Sequence, residues 1–260
     1  FFEAYAQYGV PPLEKIITCC PKIQPRTFSI MKFAGQVATI IGLKNLFTVK
    51  SKDNEDIVRE GLCSSFISEY QEVFARNDED AISELPKVAV KVKVGMLKYP
   101  ESPATPLILI ACGLGASSIL MNLNHREQIM KGKNDKFGDA IVFFLNDGSD
   151  GYKCIENEFQ SYKEKNVIKD ISIVHSSNGH NSKVEVTQLL IDTLNQHSEI
   201  IWSLWKEATT AVLFSASGLN NPEQKLNDSL VAITIKEGGL RDEEAMAYTS
   251  RHQVDIEIIQ

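Results

Sequence analysis

Long apolar runs are missing from this chain. No stretch approaches the roughly 18 consecutive apolar residues that span a bilayer, which predicts a soluble protein without membrane contact from this segment. Positive charge is also short: 27 Lys and Arg face 34 Asp and Glu, leaving a net charge of −7. The basic residues are scattered, whereas phosphate-backbone binding needs a clustered basic face, so no nucleic-acid partner is expected. A small local cationic pocket is compatible with that balance. Cysteine is sparse and odd in number. Cys19, Cys20, Cys63, Cys112 and Cys154 form no C-x-x-C pair and have no histidine at ligand spacing. Neither a metal site nor a disulfide framework is expected, and the five read as reduced thiols of a cytoplasmic protein. No G-x-S-x-G elbow follows a strand, which argues against a hydrolase built on His175, Ser176, Ser177 and Asp147. Internal repeats and low-complexity tracts are absent as well.

What is present is ordinary globular material. A hydrophobic fraction of 43% with 23% charged residues over 260 positions allows two domains, each with its own core. The opening FFEAYAQYGV lacks an initiator methionine and begins inside an apparent amphipathic helix, so the chain reads as the ordered part of a longer polypeptide. Anchoring through a preceding part stays open. Residues 2 to 20 read as two short helices broken at Gly9 to Pro12. To about residue 100 the pattern is β-like, with GQVATIIGL, LFTVK and the alternating VAVKVKV, one helix at CSSFISEY and an exposed polar loop at ARNDEDAISE. A small barrel or sandwich is expected over 1–104.

After the proline-rich joint YPESPATP the signature changes. LILIAC, AIVFFL, ISIVH and AVLFS are short apolar runs, and helical patterns alternate with them. Such alternation predicts a doubly wound α/β domain with a parallel sheet over 105–260. Ligands of such sheets bind beyond the carboxyl ends of the strands. Those ends are ACGLGASS, LNDGSD, HSSNGHN and SASGLNN, all small, polar or glycine-bearing. Trp202 and Trp205 in SEIIWSLW, and Leu226, Leu230 and Ile233, read as buried helical stripes.

The stretch PRTFSIM, residues 25 to 31, brings a cation, an aromatic ring and a hydroxyl together on a predicted strand, a set suited to stacking beside an anion. Together with the G-x-C-S-like turn REGLCSSFI, the glycine turn of LILIACGLGASSI, KVEVTQLL and the final KEGGLRDEEAMAYTSRHQVDIE, it resembles the ferredoxin reductase-like module of the diflavin reductases. That family includes cytochrome P450 reductase, the sulfite reductase flavoprotein and the nitric oxide synthase reductase domain. The resemblance covers nearly the whole chain.

The resemblance implies a β barrel-like FAD domain with a helical connecting remnant, followed by an NAD(P)-binding-like domain. It implies that Arg26 faces the FAD pyrophosphate, that Phe28 covers the isoalloxazine where the family has tyrosine, and that Ser29 bonds near the ring. A guanidinium fork suits phosphate and an aromatic face suits a flat ring. Gly61, Leu62, Cys63 and Ser64 would bring backbone N–H groups at a helix start to the same pyrophosphate. Gly113 and Gly115, Ser176 and Lys183 would border the nicotinamide nucleotide, NADPH or NADH. An FMN or flavodoxin-like domain, or another electron acceptor, is the implied partner.

The nucleotide half departs from the family pattern. Leu114 replaces a threonine, Ser118 a proline, Ser177 a phosphate-clamping arginine, Glu185 a tyrosine and Thr187 a glutamine. Ser215 and Ser217 stand at the catalytic cysteine and aspartate as degenerate positions, and Glu257 stands where a terminal aromatic would shield the flavin. A reductase module with an eroded NADPH site is expected. The alternative is a non-catalytic scaffold or regulatory module that keeps the fold.

Overall fold

The structure is a computed structural model. It describes residues 62–76, 79–93, 95–132, 136–146, 150–176, 183–217 and 219–259, the strand pairs 30–33/36–39 and 45–50/56–60, and the single positions 12, 14, 15, 18 and 28. The chain divides into two units, 1–27 with 41–92, and 28–40 with 93–260.

In the first unit, β3 (Asn45–Lys50) and β4 (Asp56–Glu60) form an antiparallel hairpin whose register slips between Asn45 and Phe47. Helix α1 (Leu62–Arg76) follows at once, and Phe66 and Tyr70 lie one turn apart on it with ring centroids 4.4 Å apart. The expected polar loop ARNDEDAISE is instead largely helical: α1 runs to Arg76 and α2 spans Glu79–Glu84, with Glu79 and Asp80 in its first turn, where they favour the helix dipole. VAVKVKV also departs from expectation. Among its described residues no ladder forms, and the side chains of Val88, Val90 and Val92 are 60%, 76% and 72% exposed. Alternation equips a segment to line one face of a sheet, but a strand exists only where a neighbour accepts its hydrogen bonds.

The second unit holds the short hairpin of β1 (Ile30–Phe33) and β2 (Gln36–Thr39), and a five-stranded sheet. That sheet comprises β5 (Leu107–Cys112), β6 (Ala140–Asn146), β7 (Asp170–His175), β8 (Ala211–Ser217) and β9 (Gln253–Ile259), in the order β7-β6-β5-β8-β9 and parallel throughout. The four apolar runs predicted as strands are therefore strands, and the parallel α/β expectation holds. The barrel expected in the first part has no counterpart among the described residues beyond the two hairpins.

Central strands of a parallel sheet are covered on both sides, which is why LILIAC and AIVFFLN are buried along their whole length. Leu107, Leu109 and Ala111 point to one face, where they meet Ile119 and Leu123 of α3 (Ala116–Gly132) and Phe159 of α4 (Lys153–Glu164). Ile108 and Ile110 point to the other. There they meet Leu190 and Leu194 of α5 (Lys183–Gln196), Trp205 of α6 (Ser198–Trp205), and Leu230 and Ile233 of α7 (Pro222–Gly238). Each such fully buried side chain contributes roughly 1.5–3 kcal/mol relative to exposure. Helix α7 opens with proline in its first turn and ends on Gly239 at φ 68°, the left-handed stop that glycine adopts without strain. Helix α8 (Asp242–Thr249) leads into β9, a strand that is not among the four apolar runs predicted from the sequence.

Candidate functional site

The chain leaves β5 for β6 and β7 on one side of the sheet, then returns to place β8 and β9 on the other. Connections after β5 and β8 therefore diverge, and their carboxyl ends are the place where the ligand crevice of such sheets is found. Gly113–Gly115 forms a tight 3₁₀ turn there and runs straight into α3. Gly113 sits at φ 56°, in the left-handed region. A Cβ on Gly115 would lie 2.1 Å from the Ser215 carbonyl oxygen, so only glycine lets this turn approach β8 so closely.

The serines at this turn are tied to its backbone and to one carboxylate. The Leu114 N–H donates to Ser217 Oγ at 3.1 Å, and Ser117 Oγ donates to the Leu114 carbonyl at 2.9 Å. Ser215 and Glu257 are register partners on adjacent parallel strands, so their side chains share a face. Ser215 Oγ donates to Glu257 Oε2 at 2.9 Å, and the Ser118 hydroxyl, in the first turn of α3, donates to the same oxygen. Ser118 and Ser215 are buried. Cys112 ends β5 beneath the turn, and burial pushes its thiol far up, which makes it an inert packing group.

A second polar cluster stands at the ends of β6 and β7. Asn146 Nδ2 donates to Glu156 Oε1 at 2.9 Å, and His175 Nε2 donates to the same oxygen at 2.8 Å. Burial pushes the Glu156 carboxyl up, but the Asn146 and His175 bonds and the Lys153 charge outweigh it, leaving the group below the usual glutamate range. The Ser176 N–H, one residue past β7, donates to the Asn146 carbonyl at 2.7 Å.

The structure thus brings Gly113, Gly115, Ser215 and Ser217 together at the crevice. Ser176 is buried at the end of β7, two strands away, and Lys183 opens α5. Phe28 is 37% exposed. In the other unit, Leu62 opens α1, and Cys63 and Ser64 lie half-buried in its first turn. Arg26, Ser29 and Gly61 lie outside the described residues. Among the described residues no group of three or more metal-ligating side chains occurs, and no helix is long and apolar enough to cross a membrane. The sequence reading named Ser118 and Glu257 only as departures. Their joint bond with Ser215 becomes visible once β9 is seen to lie beside β8.

A parallel sheet with a glycine turn and a helix start at its topological switch point defines an α/β domain of the nucleotide-binding type. No family model matches the chain. It is 26% identical over 226 residues to NADPH-dependent diflavin oxidoreductase 1 of Dictyostelium discoideum, covering 85% of this chain and 33% of that protein. It is 20% identical to human methionine synthase reductase, over 91% of this chain and 35% of that protein. It is 22% identical to NADPH--cytochrome P450 reductase of Drosophila melanogaster, over 93% and 33% respectively. The chain is a divergent relative of the diflavin oxidoreductases and spans about a third of the length of the curated relatives it matches.

Proposed function

We propose that the chain is the FAD- and NAD(P)H-type reductase module of a diflavin oxidoreductase, passing electrons from NAD(P)H via FAD to an FMN domain or metal partner. In this reading 1–104 is the FAD-binding β domain with its connecting segment, and 105–260 is the nucleotide domain. The observation that carries the proposal is the glycine turn Gly113–Gly115 at the switch point of the parallel sheet, in a chain whose relatives are NADPH-dependent reductases.

FAD, when bound, supplies the exchange between two-electron and one-electron transfer. Phe28 by itself offers an aromatic face in one unit, and the helix start at Leu62, Cys63 and Ser64 offers backbone N–H groups in the other, the kinds of group that the resemblance assigns to the flavin. Arg26 and Ser29 complete the proposed flavin set, with Gly61 at the turn. On the nucleotide side Gly113, Gly115, Ser176 and Lys183 would border the dinucleotide, and Ser215 and Ser217 would stand beside the nicotinamide without a thiol or carboxylate of their own. With Ser177, Glu185 and Thr187 around the expected 2′-phosphate, only Lys183 brings a cation, so NADPH affinity is weak and little better than that for NADH. An absorbance spectrum of the purified chain, followed by anaerobic addition of NADPH or NADH, tests the reading. A flavin spectrum that bleaches slowly is expected; a folded, colourless protein that takes up no FAD would refute it.

One observation favours a second reading as a regulatory module. The Leu114 N–H is satisfied by Ser217, and Ser118 and Ser215 are satisfied by Glu257, so the crevice groups bond to one another. Bound flavin that neither nicotinamide reduces would select that reading.

A further inference from the structure

The crevice ends at the start of α3, a 17-residue helix whose first turn carries partial positive charge. Pyrophosphate groups bind such positions through backbone N–H groups. Here a carboxylate from β9 reaches the same turn: Glu257 Oε2 takes hydroxyl bonds from Ser118 on α3 and Ser215 on β8. Both partners are neutral, and among the described residues no lysine, arginine or histidine forms an ion pair with Glu257. Its charge is met there by hydroxyl donors and the helix start alone, at the place where an incoming phosphate would settle. The tether is built into the fold. The Ser215–Glu257 pairing aims both side chains to the α3 face, and Gly115 lets the turn close onto β8.

We propose that Glu257 sets the ligand charge of the crevice: its carboxylate stands as a tethered anion at the first turn of α3 and turns phosphate-bearing nucleotides away. This rests on the reading of the crevice as the nucleotide site. It adds one removable charge as a barrier to binding, beside the loss of the phosphate-clamping groups that the chain lacks.

Isothermal titration of the full 260-residue chain with NADPH and with ADP-ribose, which lacks the nicotinamide, tests the proposal in wild type, Glu257→Gln and Glu257→Ser. Glutamine keeps an acceptor for Ser118 and Ser215 while removing the charge; serine gives a second neutral variant should the first fold poorly. Both variants are expected to bind both probes about tenfold tighter or more than wild type, with the gap shrinking as ionic strength rises. A purely structural role would not produce that salt dependence. Equal affinities of wild type and variants would overturn the proposal while leaving the nucleotide reading intact. No binding of either probe to any of the three proteins would overturn both.

Discussion

At the scale of single residues, the crevice depends on atoms that are not there. Gly115 has no side chain, and the first atom of one would fall 2.1 Å from the Ser215 carbonyl oxygen and 2.7 Å from the Ala216 nitrogen, both backbone. Backbone cannot swing aside as a side-chain tip can. Gly115→Ala is therefore expected to destabilise the protein by about 2 kcal/mol or more, read as a lower urea midpoint. An unchanged midpoint would mean that the turn relaxes freely. Ionisable residues give a second expectation. A bond from Lys131 holds the Glu127 carboxyl below its usual 4.5, a bond from Lys163 holds Asp170 below 3.8, and Glu156 is held below 4.5 as described. Each group binds protons less readily in the fold than in the unfolded chain. Its stabilising contribution is then complete above those ordinary values and is lost as pH falls through the lower folded ones. Urea midpoints measured from pH 7 to pH 3 should fall on the acid side, and Glu156→Gln should flatten that fall.

At the scale of elements, legibility followed the continuity of the apolar run: the half-buried edge strand β7 was read from ISIVH. Strands β5, β6 and β8 are covered on both faces and read as unbroken apolar runs; their positions were plain from sequence. Strand β9 lies at the sheet edge, is only half-buried and alternates Asp255 and Glu257 with isoleucines, so it carried no run to notice. Helix α2 is six residues of mostly polar character with none buried, which reads as loop in any scheme based on periodicity. The opposite error arose at VAVKVKV, where a strong alternating pattern has no partner strand among the described residues. Because Val90 is 76% exposed, Val90→Lys is expected to change stability by less than about 0.5 kcal/mol. A loss above about 1 kcal/mol in chemical denaturation would show that the segment is paired after all.

At the scale of the whole molecule, the nucleotide half of the candidate site was more legible than the flavin half. The crevice is made by topology: once four parallel strands were recognised, their carboxyl ends named the loops that converge. Its bonding was not legible, because it depends on β9 lying beside β8 in one register. The flavin set was reached through resemblance alone, and part of it, Arg26, Ser29 and Gly61, lies outside the described residues. It is open to a direct measurement. Arg26→Ala and Phe28→Ala should each lower the FAD content of the purified protein, one by removing a phosphate clamp and the other a stacking surface. Unchanged flavin in both variants, with unchanged circular dichroism, would remove the assignment.

The aromatic group on the far side of the sheet has an optical consequence. The two tryptophans of the chain, Trp202 and Trp205, both sit on α6 and pack into the layer opposite Glu257. Trp205 is fully buried, donates from Nε1 to Thr234 Oγ1 at 3.0 Å, and stacks on His252 at 4.0 Å; Trp202 lies 5.9 Å from Tyr248. Intrinsic fluorescence therefore reports the integrity of that one layer. Binding of a nucleotide that does not absorb in the tryptophan emission band, such as ADP-ribose, would leave the emission nearly unchanged, whereas loosening of α6 against α8 would shift it strongly.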